Sequence, residues 1–163
     1  MSRYSFIAYC TLATVVTGFL IDCVTANVAV EYFTVHHPKL VESQSPWVMA
    51  LVWGFSASWW FAVPSALVID VYNSRRHAPV TRNQLLRWVI IGLASIWLFM
   101  MTILASVYAL ISLVPVHQRK PDFESVRRLM AVAVTHQFEY VLGAILVIIL
   151  LLKIRSHVPN LDS

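Results

Sequence analysis

Hydrophobic positions in this chain gather into four long blocks, at about 6–33, 47–71, 88–113 and 129–152, separated by short polar connections. A helix rises 1.5 Å per residue, so about twenty apolar residues cross the roughly 30 Å hydrocarbon core of a bilayer, and each block is long enough to do so. The pattern predicts an all-α integral membrane protein, a four-helix bundle that fills residues 1–163 as a single transmembrane domain. No internal repeat or low-complexity segment interrupts it.

Helices in lipid gain little from the hydrophobic effect when they associate, so small and polar residues mark the faces that meet. The first block offers Thr11, Thr14, Gly18, Asp22 and Thr25 at helical spacing, and the second Ala50, Gly54, Ser58, Ala62 and Ser65. The third gives Gly92, Ser95, Thr102 and Ser106, and the fourth His136, Glu139 and Gly143. Pro64 removes a backbone donor inside the second block and predicts a kink there. Trp59 and Trp60 fall near the middle of that block, where an indole N–H has no water; packing between helices is the ordinary reading, and a chromophore or quinone pocket the sharper one.

Composition settles the solvent. The chain is 59% hydrophobic and 12% charged, with a formal charge of +4, and its basic residues flank the blocks, which suits headgroup and topology anchors and speaks against nucleic acid. Arg3, Arg75, Arg76, Arg82, Arg87, Lys153 and Arg155 fall on one side, against Lys39, Arg119, Lys120, Arg127 and Arg128 on the other, so the positive-inside rule predicts both termini in the cytoplasm. Asp70 is expected to pair with Arg75 and Arg76 at the interface. Cys10 and Cys23 lie about 20 Å apart along one helix and cannot bond each other. Arg3, an apolar run and Val24-Thr25-Ala26 together resemble a secretory signal, but the run continues to Phe33 without a turn signal, as a permanent span does.

Charges within a span cost some 2.5 kcal/mol or more at the bilayer centre and are functional candidates by default. Asp22 lies about 25 Å up the first helix; Glu139 lies about 20 Å and His136 about 25 Å above Lys153 on the fourth, so the three share a level in the outer half of the membrane. Glu31, His36 and His37 end the first block nearby, and His117 follows the third. Asp22, Glu31, His37, His136 and Glu139 therefore form a possible ligand set for a metal ion, and paired imidazoles for a haem. Their spacing matches no ligand string, and the Glu-x-x-His order of di-iron bundles is reversed in His136-x-x-Glu139. The bland alternative is a hydrogen-bonded cluster that fixes which helix faces which; a third is carboxylates that titrate as a proton or cation passes.

Glu31-Tyr32-Phe33-Thr34, His37-Pro38, Trp53-Gly54, Ser58-Trp59-Trp60 and His136 with Tyr140 resemble a family of small bacterial multi-pass membrane proteins of no assigned activity. The resemblance is strongest over the first two blocks and implies a four-span protein of the inner membrane, with attention to Glu31, His37 and His136. His36 before His37, and Glu139 where a small or neutral residue is expected, depart from that pattern. The leading reading is a non-enzymatic bundle embedded in lipid, alone or as a homo-oligomer or a subunit of a membrane assembly. The rival is a metal- or haem-binding redox or ion-coupled protein. A lipid-directed enzyme is the weakest class, because no nucleophile pairs with a base at membrane depth.

Overall fold

The computed structural model describes residues 1–118 and 120–157; Arg119, one of the outer cations counted above, lies outside them. Five α-helices follow one another: α1 (Arg3–Val28), α2 (Glu31–Thr34), α3 (Pro46–Ser74), α4 (Arg82–Ser112) and α5 (Phe123–Ser156), with a 3-10 turn at Val116–Gln118 before α5. No strand occurs among the described residues. α1, α3, α4 and α5 are each long and apolar enough to cross a membrane, so the architecture is the all-α four-helix bundle that the blocks predict, in the form of a multi-pass integral membrane protein.

Element boundaries depart from the apolar blocks in two ways. The first helix stops at Val28, not Phe33: Ala29 leaves the helical region at φ −149°, ψ 86°, and the chain turns into the four-residue α2. No glycine or proline marks this break; the contacts of Tyr32 and Phe33 with α5 hold the turned segment in place. The other helices start ahead of their blocks, at Pro46, Arg82 and Phe123. Pro46 stands in the first turn of α3, the Thr81 hydroxyl accepts the Gln84 N–H at the head of α4, and α5 starts at Phe123, ahead of the basic pair Arg127 and Arg128. The 34 residues of α5 make about 51 Å, so both of its charged ends project past the hydrocarbon.

Packing centres on α1, which lies most extensively against α3 and also touches α4 and α5; α4 packs on α5, while α3 and α5 meet sparsely. The α1–α3 seam follows the small-residue stripes. Ala50, Gly54, Ser58 and Ala62 are buried there, and at Gly54 a side chain would meet the Phe19 backbone, 2.6 Å from its Cα. The α4 stripe is a correction. Ser95, Thr102 and Ser106 are exposed, and α4 buries Leu85, Val89, Leu93, Met100 and Leu104 instead. A serine or threonine in a helix can return its proton to its own backbone, as Ser95 does to Ile91 and Thr102 to Leu98, and then needs no neighbouring helix.

Each end of the bundle is clasped by polar contacts. At the end that carries the N-terminus Asp70, fully buried, accepts from Arg3 Nε at 2.7 Å and from Arg82 Nε at 2.6 Å, so one carboxylate joins the starts of α1 and α4 to the end of α3. Its partners are thus not the expected Arg75 and Arg76, which are exposed. Asn73 closes the following hairpin with two bonds, its amide donating to the Val80 carbonyl and its oxygen accepting the Val80 N–H, each at 2.9 Å. Asn73→Ala strands both backbone groups of Val80 and is expected to cost about 2 kcal/mol. Limited trypsin digestion should then cut faster after Arg75 and Arg76 than in the native protein. At the opposite end Tyr108 donates to Glu124 at 2.7 Å, and Arg127 pairs with Glu124 and donates to Tyr108 at 2.6 Å. That clasp ties the end of α4 to the start of α5.

Candidate functional site

Asp22, buried to 4% exposure, faces α5 from the C-terminal third of α1. His136 stands opposite, with Nε2 at 3.5 Å from Asp22 Oδ1 and at 3.2 Å from Thr25 Oγ1. Its Nδ1 lies 3.3 Å from Oε2 of Glu139, one turn along the same helix. The three intramembrane ionisable residues singled out in the sequence thus converge.

Thr25 donates its hydroxyl proton to the Ile21 carbonyl at 3.1 Å, which leaves its oxygen open to accept from His136 Nε2. The other ring nitrogen, Nδ1, is turned to the Glu139 carboxyl.

The turned segment α2 closes over this imidazole. Tyr32 stacks on the His136 ring with centroids 4.9 Å apart and planes 12° from parallel, while Phe33 meets it edge-on at 5.5 Å. Burial first, and then the Asp22 and Glu139 carboxyls, hold the Tyr32 phenol above its ordinary range. His37 donates from Nδ1 to the Tyr32 carbonyl at 2.9 Å and packs against Trp53 at 4.8 Å. Together these residues wall a recess of about 280 Å³, completed by Trp60 and Tyr140.

Four of the five residues of the possible ligand set, Asp22, His37, His136 and Glu139, line this recess. Glu31 is exposed and is not part of its wall, and His36 and His117 are exposed as well. Among the described residues no group of three or more His, Cys, Asp and Glu side chains is placed to hold a metal ion. Comparison with known proteins adds nothing to this geometry. No protein-family model, curated protein or solved structure matches the chain.

Two features were not legible in the sequence. Tyr32 and Phe33 read there as the end of a span, and only the break at Ala29 turns them onto His136. Thr25, His136 and Glu139 also stand in the order hydroxyl, imidazole, carboxylate, a pairing of hydroxyl and base that the sequence did not reveal. Thr25 is 0% exposed and its proton is committed to Ile21, so this hydroxyl is not presented to a substrate. The central tryptophans differ from expectation too: Trp59 and Trp60 are each about half exposed on the bundle surface, and Trp60 reaches the recess only with its ring 6.1 Å from Tyr140.

Proposed function

We propose that the chain is a non-enzymatic multi-pass protein of a bacterial inner membrane, with both termini in the cytoplasm, that serves as a subunit of a larger membrane assembly. Its outer polar cluster is chiefly a clamp that locks α1, α2 and α5 together. The supporting observation is that both ring nitrogens and the stacked face of His136 are engaged by residues of those three helices. Polar groups that are expensive in lipid are thereby satisfied inside the bundle and specify which surfaces meet. The resemblance to small bacterial membrane proteins and the excess of basic residues beside the termini support the membrane and the orientation.

On this reading His136→Ala leaves two carboxyls facing each other without the imidazole and unpins α2. The cost is expected to be about 2 kcal/mol, seen as a lower thermal midpoint in detergent. The purified native protein should carry no stoichiometric metal and no Soret band. Either signal, if lost in His136→Ala, overturns the clamp in favour of a bound metal or haem. A reporter fused to the C-terminus should remain on the cytoplasmic side.

A further inference from the structure

Two cavities of the bundle adjoin. The recess around Glu139 and a second, apolar cleft beneath it meet at a neck whose residues, Ala57, Ser58, Glu139 and Tyr140, line both. From this neck the cleft runs inward among the four long helices, from Ile21 to Cys10 on α1 and from Glu139 to Leu150 on α5, roughly 16 Å of helix. It stays open because α3 and α5 meet sparsely and because its walls are small, among them Gly18, Ala62, Ser65, Ala66 and Gly143.

A narrow apolar cleft with a single polar end fits an amphiphile lying along the membrane normal. Charge selects the head. Asp22 and Glu139 bring two carboxyls to one imidazole, and neither cavity has a lysine or arginine in its wall, so a cationic head meets acceptor oxygens and no fixed cation. Tyr32, Trp53, Trp60 and Tyr140 add aromatic rings, whose faces attract cations and above all ammonium groups. An anionic head finds no lysine or arginine in these walls, and a neutral head gains least from the carboxyls and the ring faces.

We propose that these adjoining cavities together bind a single-chain amphiphile from the membrane, with its ammonium head among Asp22, Glu139 and the aromatic rings and its alkyl chain in the cleft between α3 and α5. The ligand site goes beyond the clamp. A clamp alone needs no occupant, and its test is the stability of His136→Ala rather than any binding.

The experiment uses the full chain in dodecyl maltoside micelles and follows tryptophan fluorescence as amphiphiles are added at equal mole fraction. Dodecyltrimethylammonium should give a saturable change, and dodecyl sulfate and dodecanol should not. Tetramethylammonium, a head without a chain, should bind at least tenfold more weakly. Glu139→Gln keeps the shape and removes the acid, and is expected to weaken dodecyltrimethylammonium at least tenfold. Ala57→Leu narrows the neck, and should erase the advantage of the long chain over tetramethylammonium. Equal binding of dodecanol, no saturation with the ammonium, or an unchanged affinity in a folded Glu139→Gln overturns the site. If Glu139→Gln does not fold, the comparison of heads on the native protein decides.

Discussion

Gly54→Leu is expected to prevent α1 and α3 from docking, and to be the most damaging substitution in the lipid-embedded part of the bundle. A Cβ at this position meets the α1 backbone across the seam, at 2.6 Å from Phe19 Cα, 2.7 Å from Phe19 N and 3.1 Å from the Gly18 carbonyl carbon. No rotamer change relieves a clash with backbone, so the two helices must separate along their most extensive contact. Overpacking of this kind costs about 3 kcal/mol or more. Gly92 provides the control. A Cβ there meets only the flexible end of the Leu146 side chain, and Gly92→Ala should cost well under half as much. Thermal unfolding of both variants in detergent gives the comparison, and equal stability of Gly54→Leu and native protein would refute the close-contact seam. Because Asp22 and Thr25 lie on α1 and Trp53 and Trp60 on α3, separation of these helices also dismantles the recess.

Asp70→Ala is expected to cost on the order of 3 kcal/mol. The carboxylate is fully buried and receives two guanidinium groups, so its loss leaves Arg3 and Arg82 close together with no counter-charge. Their side chains are 47% and 30% exposed, which lets them regain water and keeps the loss near the lower end for a broken buried pair. Asp70→Asn, which still accepts hydrogen bonds, should fall between alanine and the native protein. Denaturant unfolding of the three proteins measures the series, and a stability of Asp70→Ala within 0.5 kcal/mol of native, the range of ordinary surface changes, contradicts the clasp.

The same two regions show how far the sequence could be read. Small residues at every fourth position, Ala50, Gly54, Ser58 and Ala62, pointed to the α3 face that meets α1, and the shared depth of Asp22, His136 and Glu139 pointed to their convergence; both follow from helical rise and period alone. The stripe on α4 misled, because Ser95 and Thr102 satisfy their hydroxyls within their own helix and carry no information about a neighbour. Asp70 misled differently. Arg75 and Arg76 are near in sequence, but the four-helix arrangement brings the remote Arg3 and Arg82 to the same carboxylate.

Length and hydrophobicity by themselves determined that four helices cross lipid, and at what depth the scarce charges lie, because both quantities depend only on distance along a helix axis. Which charges touch was decided by the tertiary structure alone. The turn at Ala29 that lays Tyr32 on His136, and the sparse meeting of α3 and α5 beside an apolar cleft that adjoins the recess, arise from contacts between segments remote in the chain. Periodicity within one segment cannot encode such contacts, since each depends on how a second helix is rotated and placed.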